Sequence, residues 1–190
     1  MRKIMITLGL LLLLPLTGKA QEVAAMELYG SYSHLRIEEI PHHGWNLTFG
    51  PNLNKNLGLM VELSGHYGSV TERIFGADVK TESRVHSILM GPRMFETVAD
   101  KWTPYAQFLL GVNHVDVDAS GTIPGTTTTA SVSDGDIGLG LALGGGLDMK
   151  INDAASLRIF QADYYIVRVG GFKSEGARVT AGIVFRFGQR

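Results

Sequence analysis

From Met26 to its C-terminal end the chain alternates apolar residues with small or polar ones at period two, in segments separated by turn-rich stretches. That period belongs to strands, because successive side chains of a strand point to opposite faces, whereas a helix would space its apolar residues by three and four. Eight such segments can be drawn, at residues 26–36, 43–53, 57–67, 84–97, 102–117, 136–151, 156–169 and 177–187. Most have about ten residues or more, the length a tilted strand needs to cross a bilayer.

The faces are unequal in a revealing way. In the eighth segment Ala177, Val179, Ala181, Ile183, Phe185 and Phe187 share one face, while Arg178, Thr180, Gly182 and Arg186 share the other. The sixth sets Ile137, Leu139, Leu141, Leu143 and Leu147 against Gly138, Gly140, Ala142, Gly144 and Asp148. The third sets Leu57, Leu59, Val61, Leu63 and Tyr67 against Met60, Glu62, Ser64 and His66; the seventh sets Phe160, Ala162, Tyr164 and Ile166 against Gln161, Asp163 and Tyr165. A soluble sandwich would turn long charged side chains outward. Here the polar residues share a face with small ones, which suits a tight interior with the apolar face toward lipid.

The first twenty residues stand apart: Arg2 and Lys3 precede a thirteen-residue apolar run, Ile4 to Leu16, and Gly18 and Ala20 give a small-residue cleavage site. This reads as a signal peptide at residues 1–20, with the barrel domain at 21–190. The run is shorter than the roughly 20 residues a transmembrane helix needs. There is no cysteine, so neither a lipoprotein anchor at the cleavage site nor a disulfide framework is expected. Removing Arg2, Lys3 and Lys19 leaves fourteen basic against eighteen acidic residues, a net charge of −4 that argues against a nucleic-acid partner.

Connections alternate in length. Short turns at 54–56, 99–101 and 152–155 are interleaved with loops at 37–44, 68–83, 118–135 and 170–176, as the turn signals place them. Short periplasmic turns and longer extracellular loops are the asymmetry of outer-membrane barrels. The expectation is an all-β, eight-stranded antiparallel up-and-down transmembrane β-barrel with both termini periplasmic, in the outer membrane of a Gram-negative-type bacterium. Pro92 lies inside the fourth segment, so a bulge or a frayed end is expected near Gly91-Pro92.

These residues resemble the small OmpA/OmpX-type outer-membrane β-barrel family. The stretch from Val179 to Phe187 looks like the closing strand read by the barrel-assembly machinery, with Ile183, Phe185 and Phe187 as the signal, although Gly188-Gln189-Arg190 follow the terminal aromatic. Gly91-Pro92-Arg93, Thr103-Pro104-Tyr105, Gly144-Gly145-Gly146-Leu147-Asp148 and Gln161-Ala162-Asp163-Tyr164 are spaced as in similar exported barrels. The resemblance implies fold and location and carries over no catalytic residues. It implies outer-membrane lipid and the assembly machinery as partners.

Glu27, Glu62, Arg93, Gln107, Asp148, Gln161, Asp163 and Arg186 are the predicted polar network of the lumen. Buried charges require partners, so salt bridges are expected across it, for example Glu62 or Asp163 with Arg93 or Arg186, plugging the barrel. Six histidines show none of the spacings that gather metal ligands along one strand or helix, and neither cofactor nor metal is expected. His86, Ser87 and Glu62 are the one group that could be written as a lipid-ester hydrolase, and adjacent strand residues point apart. Tyr67, Trp102, Tyr105, Tyr164, Tyr165 and Phe187 are placed at the membrane interface by position. The functional expectation is a non-enzymatic, monomeric barrel with a structural or surface-interaction role, its loops offering a surface to an extracellular ligand. A soluble lipocalin-like carrier with the faces reversed, and a lipid-modifying hydrolase, are the competing readings.

Overall fold

The computed structural model describes residues 24–37, 40–74, 77–122 and 129–189. The predicted signal peptide and residues 123–128 of the threonine-rich loop lie outside the described residues. Eight strands follow one another: β1 (Ala24–Ile37), β2 (Ile40–Pro51), β3 (Leu57–Ile74), β4 (Ala77–Phe95), β5 (Trp102–Thr122), β6 (Thr129–Lys150), β7 (Ala155–Val169) and β8 (Phe172–Gln189). Each is antiparallel to the next, and β1 pairs with β8, so the sheet closes on itself. Closure leaves no strand edge, which is what lets a sheet live in lipid, where unpaired backbone groups find no water.

Alternation decides which way each side chain points. Leu59, Ile88, Phe108, Leu143, Val179 and Phe185 form part of an exposed apolar surface around the barrel. Inside, Leu35, Met60, Leu89, Leu109, Ala142, Tyr165 and Val167 pack together. Gly144 shows why the inward positions of β6 are small: a Cβ there would lie 2.1 Å from the Ala162 carbonyl oxygen and 2.5 Å from Asp163 Oδ1.

The strands extend well past the apolar band. β3 and β4 stay paired to Ile74↔Ala77, and β5 and β6 to Thr122↔Thr129, so most of what the sequence marks as loops at 68–83 and 118–135 is ladder. Polar, Gly- and Thr-rich composition signals solvent on both faces, and that erases the apolar alternation without breaking the backbone hydrogen bonds. The loop expected at 37–44 also shrinks, with Ile37 paired to Ile40. That expected at 170–176 becomes a tight turn at Gly170 and Gly171, whose φ of +57° and +85° suits residues without a Cβ.

The expected irregularity at Pro92 takes another form. The β3–β4 and β4–β5 registers do not shift there; pairing with β5 is interrupted between Met90↔Leu110 and Arg93↔Gln107 and then resumes to Phe95↔Tyr105. Proline removes a donor without adding a residue, so a gap in the ladder suffices. The register shift lies instead in β7, between Arg158 and Gln161, where Ile159 and Phe160 both face outward.

Candidate functional site

The lumen carries four carboxylates and four guanidinium groups joined into one network. Arg158 on β7 sits at its lower centre. Its Nε and Nη2 donate to Asp148 Oδ1 and Oδ2 at 2.7 and 3.0 Å, its Nη1 donates to Gln161 Oε1 at 3.0 Å, and Nη2 also reaches Glu27 at 3.2 Å. The guanidinium lies between the rings of Tyr29 and Tyr105, 4.0 and 4.3 Å from their centroids. Its plane is satisfied at the edge by acceptors and on the faces by π clouds, the arrangement that suits Arg and not Lys.

Arg93 on β4 donates to Glu27 and, through Nε and Nη2, to Gln107 Oε1 at 3.2 and 2.9 Å. Gln107 passes the connection on, its Nε2 donating to Asp163 Oδ1 at 3.1 Å, and Gln161 Nε2 donates to Asp163 Oδ2 at 2.7 Å. Arg178 on β8 then binds Asp163 at 2.7 Å and takes both oxygens of Glu62 on β3. At the other end Arg186 lies 3.4 Å from Asp148 and 3.7 Å from Glu27. The connected groups therefore cross the lumen from Glu62 to Arg186, with balanced charge.

All eight residues of the predicted lumen network are in this assembly, but the pairing differs from expectation. Glu62 and Asp163 are held by Arg178, not by Arg93 or Arg186. Register explains it: Arg178 is directly opposite Asp163, whereas Arg186 lies eight residues further along β8, about 26 Å at the usual rise. Alternation places Arg178 on the inner face, although it is not among the eight residues expected in the network. Arg158 is not legible as a member, because strict alternation back from Gln161 turns it outward, and the bulge at Ile159-Phe160 reverses that parity. The available signal was the pair of adjacent apolar residues between Arg158 and Gln161, since an arginine facing lipid is expensive.

Tyr105 and Tyr165, assigned by position to the membrane interface, lie in the lumen at 7% and 0% exposure. The Tyr105 hydroxyl donates to Gln161 Oε1 at 2.7 Å; that of Tyr165 donates to Asn113 Oδ1 at 2.9 Å and shares a hydrogen bond with the Ser87 hydroxyl at 2.6 Å. Strand parity, not nearness to a strand end, fixes their side. Tyr67, Tyr164 and Phe187 are exposed on the outer surface. Ile183, Phe185 and Phe187 line the outer face of β8, the two phenylalanine rings stacked at 6.5 Å.

The hydrolase group does not assemble. Ser87 is buried against Tyr165, His86 meets the Tyr67 hydroxyl at 3.2 Å on the opposite face of the sheet, and Glu62 is committed to Arg178. A carrier of apolar ligands would need an apolar cavity and a wet exterior; here the interior holds the ion pairs, and the exterior exposes large apolar side chains such as Leu59, Ile88, Phe108, Leu143 and Phe185. Among the described residues no group of three or more His, Cys, Asp or Glu is placed to hold a metal.

Comparison with known proteins gives the same architecture. The attachment invasion locus protein Ail of Yersinia pestis, solved with the heparin analogue sucrose octasulfate, is 17% identical over 86% of this chain and 98% of its own, with a TM-score of 0.52. Neisserial surface protein A, NspA, is 15% identical over 88% of this chain and 100% of its own, with a TM-score of 0.53. OprG from Pseudomonas aeruginosa is 13% identical over 88% of this chain and 98% of its own, with a TM-score of 0.51. Among curated proteins, none matches. At such identities the likeness concerns the fold. The family profile described as outer membrane protein beta-barrel domain matches residues 6–187, and the chain belongs to that family of outer-membrane barrels.

Proposed function

We propose that the protein is a closed, non-enzymatic barrel whose work is done at the cell surface by its long hairpins, after export by a signal peptide at residues 1–20 and with both termini in the periplasm. The observation that carries this reading is the combination of a filled lumen with strands of 21 and 22 residues in β5 and β6, about twice what a bilayer crossing requires. The surplus stands beyond the apolar band as a paired β-ribbon. Exposed ion pairs lie across the neighbouring ladders, Arg84 with Asp118 at 3.1 Å across β4–β5 and Arg73 with Asp78 at 3.4 Å across β3–β4. A rigid ribbon loses less conformational entropy on engaging a partner than a mobile loop does.

The test trims both hairpins, removing residues 70–81 and 119–132, and compares cells carrying the trimmed and full-length barrels for attachment to matrix-coated surfaces and for cell-to-cell aggregation. Attachment or aggregation should fall to that of cells without the protein, while the trimmed barrel keeps its heat-modifiable gel mobility. Equal adherence of both cell types would remove the surface role. Steady ion conductance of the full-length barrel in a planar bilayer would remove the closed lumen.

A further inference from the structure

We propose that the outer face of the barrel binds late first-row divalent metal ions, copper above all, at two cross-strand histidine pairs, His34 with His43 and His86 with His114. The register carries the argument. His34 on β1 is directly opposite His43 on β2, and His86 on β4 is directly opposite His114 on β5. Side chains directly opposite on one face of an antiparallel pair have Cβ atoms about 5 Å apart, a span two imidazoles close around one ion. The His34 and His43 ring centroids are 4.8 Å apart. His42 and His66 are on the lumen side, against Ser83 and Ser33, so the four outward histidines fall wholly into these two pairs.

The second observation concerns the nitrogen that three of the four imidazoles, His43, His86 and His114, do not need for a metal. The Tyr32 hydroxyl bonds His43 Nδ1, leaving Nε2. Asp116 Oδ1 lies 3.1 Å from His114 Nε2, and the Tyr67 hydroxyl lies 3.2 Å from His86 Nε2, leaving both Nδ1 atoms. A carboxylate or hydroxyl on the far nitrogen fixes ring orientation and raises ligand basicity, as the partners of metal-bound histidines do. Both pairs stand where the outer face changes character: His114 between Val112 and Asp116, His86 between Ile88 and Arg84, His34 between Tyr32 and Arg36. The ions would be held at the outer boundary of the apolar band, reachable from water.

Two neutral imidazoles with water in the remaining positions select for metals that favour nitrogen. In the Irving–Williams order Cu²⁺ leads, with Ni²⁺ and Zn²⁺ behind it, whereas Mg²⁺ and Ca²⁺ seek oxygen. Spacing along the chain hides these sites, since their members are nine and twenty-eight residues apart.

The experiment titrates Cu²⁺ into the folded barrel in non-ionic detergent and reads stoichiometry and imidazole-nitrogen hyperfine structure by electron paramagnetic resonance. The wild-type barrel should bind two ions, H43Q and H114Q one each, and the H43Q/H114Q variant none, with H34Q and H86Q repeating the single losses. Mg²⁺ in tenfold excess should displace neither ion. Two ions retained by the double variant, or none bound by the wild-type barrel, overturns the proposal.

Discussion

Arg178 is the residue on which the upper half of the lumen depends. It is fully buried and is the ion-pair partner of both Glu62 and Asp163, themselves 0% and 3% exposed. Replacing it with methionine leaves two carboxylates in a desolvated interior, a change that typically costs about 3–5 kcal/mol. Urea unfolding of R178M in lipid vesicles should show that loss, and R178K a smaller one, because an ammonium supplies charge without the fork that grips Glu62 at both oxygens. Adding Glu62→Gln and Asp163→Asn to R178M should recover part of the stability. An unchanged midpoint for R178M would mean that the network fills space without contributing to the fold. At this scale the sequence was informative about membership and silent about partners: polarity and parity place Glu62, Asp163 and Arg178 indoors, but only register says that Arg178 faces Asp163. The same limit applies to the outward histidines, whose pairing exists only between strands.

Among the elements, β7 departs furthest from a plain strand. β6 pairs with it as Leu147↔Phe160 and then Asp148↔Arg158, and β8 as Gln161↔Thr180 and then Arg158↔Gly182, so both neighbours skip one residue. The bulge amounts to a single extra residue that lets Arg158 and Gln161 face the same side across an odd spacing. Deleting Ile159 should therefore be tolerated: Arg158, Phe160 and Gln161 then alternate in, out and in, and the ladder becomes continuous. Deleting Ala162 should not be, because Gln161 and Asp163 can no longer both face inward. Heat-modifiable mobility of the two variants checks this, and the idea fails if both deletions behave alike. Regular strands such as β3, β6 and β8 were legible from alternation alone. The bulge was not, since one inserted residue changes parity while leaving composition and turn signals untouched. The hairpin lengths escaped for a related reason: alternation records a difference between two faces, and beyond the membrane both faces are wet.

For the whole molecule the decisive contact is between its ends. Met26 pairs with Phe187 and Glu27 with Arg186, and the outer face of β8 presents Ile183, Phe185 and Phe187 to the surroundings. If these three are the signal for assembly, replacing Phe185 and Phe187 with alanine should lower the fraction of chains reaching the outer membrane in the heat-modifiable form. The same substitutions should leave in vitro refolding into detergent largely intact, since neither ring fills the lumen; equal defects in both settings would assign them to stability alone. The joining of first strand to last also sets a schedule. All the strands from β2 to β7 lie between the residues that must meet, so closure cannot begin before β8 has been made, and every molecule passes a period with its earlier strands unclosed. Contacts of such long sequence separation form slowly. A protein built this way depends on being kept apart from its own copies until its last strand arrives.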